Sequence, residues 1–161
     1  MKIRHWFFLV GVLLFVAGIG FSIAGARAAR LAPAVEAPIT TPVATVKQIM
    51  KGIVTPAAMV VFNSVSTTVS IRGIEEKFPR DDAEWEEVGT SAAALIESGN
   101  LLMLGTRAID KEEWVKMSQA LIEAGKLALK ATEDRSADGV LAAGEQINAS
   151  CDACHRRYQR G

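Results

Sequence analysis

Beyond residue 43, apolar residues recur at steps of three and four, the spacing of a helix with one buried face. The pattern is clearest in Trp85, Val88, Ala92, Leu95, Gly99 and Leu102. Asp81 or Asp82 can cap this helix, Glu84, Glu86 and Glu87 sit in its first turns, and Gly105 stops it, so it is predicted from about Asp82 to Leu104. A second stripe, Trp114, Met117, Leu121, Ala124 and Ala128, predicts a helix from about Asp110 to Thr132. Asp110 followed by Glu113 resembles a capping box at its start. Ser136, with Asp138 in the first turn, opens a third helix whose stripe is Val140, Gly144, Ile147, Cys151, Cys154 and Tyr158.

The segment from Val43 to Ile71 is more ambiguous. Val46, Ile49, Met50, Ile53, Val54, Val60, Val61 and Val65 suit a helix that Pro56 must kink or divide. Val65 to Ile71 is rich in β-branched residues, a local strand signal. With no partner strand evident, the segment is read as helix to its end. A loop then carries Gly73, Glu75, Glu76, Lys77 and Pro79. The predicted fold is all-α: an antiparallel four-helix bundle over 43–161, preceded by an N-terminal hydrophobic signal or anchor helix.

That N-terminal segment changes the compartment. Lys2, Arg4 and His5 precede Trp6 to Ala26, which carries no charge and is long enough to span a bilayer. Ala24-Gly25-Ala26 and Ala26-Arg27-Ala28 are A-x-A cleavage sites. Residues 1–29 are therefore a cleaved signal peptide or a retained anchor. Pro33, Pro38 and Pro42 make 30–42 an extended linker. The domain is expected in the periplasm, soluble or held to the outer side of the cytoplasmic membrane by residues 6–26. Charge adds little: 18 basic residues balance 18 acidic ones. No basic tract interleaved with aromatics points to nucleic acid.

The chemistry lies six residues from the C-terminus, in Cys151-Asp152-Ala153-Cys154-His155. C-x-x-C-H is the attachment pattern of c-type haem. Two thiols bond the vinyl groups and the imidazole takes the iron. On a helix, positions 151, 154 and 155 share a face. Other readings of the pair are a redox dithiol, a zinc site or a plain disulfide. The dithiol lacks a βαβ context, and zinc lacks further Cys or His ligands in the exported domain. The pair continues the core stripe of its helix, so a bound porphyrin would enter the interior. Gly99, Gly125 and Gly144 either leave room for it or pack helices closely. No nucleophile–base constellation is present, so the chain is expected to be a carrier, not an enzyme.

With these residues the chain resembles the class II c-type cytochromes, the cytochrome c′ family. These are exported four-helix bundles with C-x-x-C-H near the C-terminus, usually followed by an aromatic residue. Cys151, Cys154, His155 and Tyr158 match that pattern. The resemblance covers about Val43 to Tyr158 and implies one covalent haem c and single-electron transfer between redox partner proteins. It also implies a homodimer through the first two helices. Val46-Lys47-Gln48-Ile49-Met50 looks like the family's haem-facing first-helix segment. That likeness implies Lys47 as a propionate neighbour and Met50 as the sixth iron ligand. His155 is the only histidine outside the leader, so the sixth ligand comes from Met50, Met59, Met103 or Met117. Nine residues separate Met50 from Met59, which puts them on opposite sides of a regular helix. If Met50 packs without bonding, the alternative is a five-coordinate protein that binds NO or CO. Arg156, Arg157 and Arg160 crowd the same end, either toward propionates and an acidic partner or as a solvated basic helix terminus.

Overall fold

The computed structural model describes residues 5–8, 10–19 and 41–159. The chain divides into two compact units, Met1–Ile39 and Thr40–Gly161. In the first, residues 5–8 and 10–19 are helical, and Trp6, Phe8, Leu13 and Phe15 are exposed. Among the described residues no helix is long and apolar enough to cross a membrane. Residues 20–26 of the predicted span, the A-x-A sites, residues 30–40 of the linker and Arg160 lie outside the described residues.

The second unit is mostly helical with one small sheet. Helix α1 (Val46–Ile49) starts with a capping box. Thr45 Oγ1 accepts from the Gln48 N–H at 3.2 Å, and Gln48 Oε1 accepts from the Thr45 N–H at 2.8 Å. The chain continues without a break through a π-helical turn, Met50–Val54, into α2 (Thr55–Ser64). Pro56 explains the wide turn. It has no N–H to return to the carbonyl four residues back, and its ring crowds that carbonyl. The Thr55 N–H instead reaches back to the Met50 carbonyl, which opens the turn just before the proline. The predicted kink at Pro56 is thus one inserted residue in a continuous helical run.

The run ends at Ser64, not at Ile71. Ser66–Ser70 is a strand, β1, paired antiparallel with β2 (Gly73–Lys77) in the register Ser66↔Lys77 to Ser70↔Gly73. The partner strand lies in the stretch read as a charged loop. Ile74 is its only aliphatic residue, so no alternation marks it. Gly73 takes φ +123°, a conformation that L side chains avoid, and Ser70 Oγ accepts from the Arg72 N–H at 3.2 Å. Pairing across this turn overrides the weak helical signal of the β-branched residues.

Three long helices follow: α3 (Asp82–Met103), α4 (Glu113–Glu133) and α5 (Ala137–Tyr158). Asp81 caps α3 by accepting from the Glu84 N–H at 2.9 Å, and Ser136 caps α5 by accepting from the Gly139 N–H at 3.0 Å. Gly105 follows α3 with φ +61°, the left-handed stop expected of it. Helix α4 starts three residues later than predicted. Asp110 Oδ1 still accepts from the Trp114 N–H at 3.0 Å, but also from the Glu112 N–H at 3.2 Å. The aspartate therefore holds a turn ahead of the helix, and the expected capping box with Glu113 does not form.

Helix α3 lies against α4, α4 against α5, and α2 against both α3 and α5. The predicted stripes meet in one core: Val61, Ala92, Leu95, Ala128, Val140 and Ile147 are essentially inaccessible. Gly99 of α3 and Gly125 of α4 each sit against the other helix. A Cβ on Gly99 would lie 2.4 Å from Ile122 Cγ1, and one on Gly125 would lie 2.8 Å from Ile96 Cγ1. These two glycines serve helix packing. Neither leaves room for a macrocycle.

Candidate functional site

The last two turns of α5 carry Ser150, Cys151, Cys154 and His155 along one side, as i, i+3 and i+4 spacing requires. That side closes a cavity of about 180 Å³ whose other walls come from the Met50–Thr55 turn, α2, α3 and α4. Val54, Ala58, Phe62, Leu102 and Leu121 make it apolar. Two of the hydroxyls on its walls are used locally. Ser150 Oγ donates to the Ile147 carbonyl at 2.8 Å, and Ser118 Oγ donates to the Trp114 carbonyl at 2.9 Å. Both cysteines are free, half-buried thiols. Burial pushes both thiols above their ordinary 9.0, and for Cys154 the neighbouring Cys151 adds to it.

Of the predicted site residues, the fold brings together Cys151, Cys154, His155 and Met50. It adds Met59 and Met117 to the same walls. The presence of Met59 corrects the expectation that Met50 and Met59 point apart. In a regular helix nine residues turn the chain to about 180°. The extra residue of the π-helical turn removes about 100° of that, so both side chains reach one cavity. Met103 is half-buried and lies outside the cavity lining.

Lys47 and Tyr158 are not brought to the cavity walls. Lys47 is exposed beside Thr45, Gln48 and Lys51. Tyr158 instead closes the end of the domain. Its hydroxyl donates to Asp110 Oδ2, and its ring meets the Trp114 indole edge-on at 5.0 Å between centroids. The Tyr158 hydroxyl, with the Trp114 N–H second, holds the Asp110 carboxyl below the usual carboxylate range, and the same bond raises the phenol. The indole N–H of Trp114 then reaches the Leu102 carbonyl at 2.8 Å. Leu102 lines the cavity. The aromatic pair thus fixes the ends of α3, α4 and α5 beside the thiols.

Neither a protein-family model, nor a curated protein, nor a solved structure matches the chain. Among the described residues no group of three or more His, Cys, Asp or Glu side chains is placed to hold a metal ion. The donor set is two thiols, one imidazole and thioethers around an apolar space, the donor types that would hold a haem through thioether bonds and iron ligation. The volume is below the roughly 300–1,000 Å³ of common cofactor pockets. A porphyrin would therefore have to displace the wall formed by Met50–Thr55 and α2 or project its edge through the mouth.

Thr55, Ala58, Phe62, Ser118 and Ser150 are the lining residues that the sequence pattern did not single out. Val54, Ala58 and Phe62 follow one another at i+4, a signal hidden by the proline two positions after Val54.

Proposed function

We propose that the chain is a class II c-type cytochrome. In this reading the four helical segments around the core form an antiparallel four-helix bundle. The bundle carries one covalently attached haem c on the periplasmic side of the cytoplasmic membrane and passes single electrons between redox partner proteins. The observation that carries the reading is the convergence of Cys151, Cys154, His155 and Met50 on one apolar cavity.

Cys151 and Cys154 would anchor the haem, and His155 would hold the iron. Met50 would be its second ligand, with Met59 available on the same wall. The haem, when bound, supplies the one-electron couple. Val54, Phe62, Leu102 and Leu121 would exclude water from it, which favours the less charged state of a buried redox centre. Helix α5 keeps both thiols and the imidazole on one face, so anchoring and ligation need no further rearrangement of that helix. Trp114 and Tyr158 brace its C-terminal end. The exposed side chains of Arg156 and Arg157 would guide an acidic partner to this end.

The test is an ultraviolet–visible spectrum of full-length chain matured in a host with haem-attachment machinery. A sharp reduced α-band that ignores CO supports the carrier. A broad high-spin spectrum that shifts with CO replaces electron transfer by gas binding. Absence of any haem band rejects the cytochrome.

A further inference from the structure

The hairpin β1–β2 buries nothing. All ten residues of its strands are exposed, although an isolated two-stranded hairpin is marginally stable in water. Its apolar residues are gathered at the far end. Ile71, in the turn, is fully exposed, and Val69 and Ile74, opposite one another in the register, are 76% and 70% exposed. Side chains alternate between faces along a strand, so Val69 and Ile74 share a face, and the next row on that face is Thr67 with Glu76. The other face carries Ser66, Thr68, Ser70, Glu75 and Lys77. Hydrophobicity thus falls from tip to base on one side of the hairpin, and the turn itself holds a cation, Arg72.

We propose that this tip docks into a lipid bilayer surface, so that the domain has a second membrane contact besides its N-terminal segment. It rests on the reading that Trp6 to Ala26 brings the chain to a membrane. Four properties favour a bilayer over other occupants. A stable contact with a second copy needs about 800 Å² and 20–30 residues on each side, and three aliphatic side chains at a hairpin tip fall far short. A bilayer needs only apolar depth. The turn and the Val69/Ile74 row reach about 7 Å along the strands, within the roughly 5–10 Å at which interfacial elements sit. Arg72 can extend its guanidinium back to the phosphates while its stem stays among the chains, and Glu75 and Glu76 lie behind the apolar row. Residues 27–42 span at most about 55 Å when extended, so the tether keeps the domain within reach of the surface.

The test uses the full chain with isoleucine methyl labels, in nanodiscs of phosphatidylcholine and phosphatidylglycerol at 3:1. Discs with and without a lipid carrying a nitroxide on its headgroup are compared. Ile71 and Ile74 methyl signals are expected to weaken at least about twofold with the nitroxide lipid, while the exposed Ile109 does not. If Ile19 and Ile23 weaken but Ile71 and Ile74 behave as Ile109 does, the docking is overturned and the tether stands. If none weakens, both readings fail. Loss of the Ile71 and Ile74 signals that is independent of the nitroxide and grows with the number of chains per disc assigns the face to a second copy, which also overturns the proposal.

Discussion

Trp114→Phe tests the brace that holds the candidate site. The Leu102 carbonyl lies in the last turn of α3, where carbonyls have no partner within the helix. The Trp114 indole supplies that partner at 2.8 Å, and Trp114 is only 3% exposed. Phenylalanine keeps a ring against Tyr158 but has no N–H. Leaving a buried carbonyl unpaired costs about 1–3 kcal/mol. The smaller ring gives up about 40 Å² of buried apolar area, a further ~1 kcal/mol. The expected loss is about 3 kcal/mol, or about 10 °C in Tm for a domain of this size. Circular dichroism at 222 nm during a thermal scan reads it. Trp85→Phe removes similar ring area without touching Leu102, so it should lower Tm by only about a third as much. Equal drops in the two variants would refute the reasoning, because the hydrogen bond would then contribute nothing.

Other expectations address packing, ligation and acid stability. Gly99→Ala places a Cβ against Ile122 Cγ1 and the Ser118 carbonyl. Overpacking of about 1–3 kcal/mol outweighs the ~1 kcal/mol gained in helix propensity, so Tm falls, and a rise in the thermal scan rejects the close approach. In haem-loaded protein, Met50→Ala should convert a low-spin spectrum to high-spin and admit CO. If Met50→Ala changes nothing and Met59→Ala does, the ligand is Met59, which the π-helical turn brings to the same wall. Tyr158→Phe removes the main cause of the lowered Asp110 pKa. A carboxyl whose folded pKa lies below its ordinary 3.8 contributes stability that is present above that pH and lost as pH falls through the folded value. The denaturant midpoint should therefore fall less between pH 5 and pH 3 in Tyr158→Phe than in the wild type, and equal slopes would exclude the contribution.

Much of the architecture was legible where local rules and tertiary packing agree. The α3 stripe from Trp85 to Leu102, the caps at Asp81 and Ser136 and the stop at Gly105 all depend on residues within a turn or two. The facing of Cys151, Cys154 and His155 follows from helical spacing alone, and the cavity forms on that side. The strand Gly73–Lys77 was illegible because one aliphatic residue gives no alternation, and its identity depends on pairing with β1. Gly99 and Gly125 were undecided because space beside a glycine is a property of the opposing helix.

By itself, the sequence determined that the chain is mostly helical, where α3 and α5 start and α3 stops, and that two thiols and an imidazole share one side of the last helix. Tertiary structure decided what faces them. Periodicity treats a helix as regular, so it sent Met59 away from Met50. A single inserted residue ahead of Pro56 rotates everything after it and returns Met59 to the cavity. It also decided that Tyr158 bonds Asp110 and meets Trp114 edge-on, because that partnership joins residues far apart in the chain that only the packing of α4 against α5 brings together.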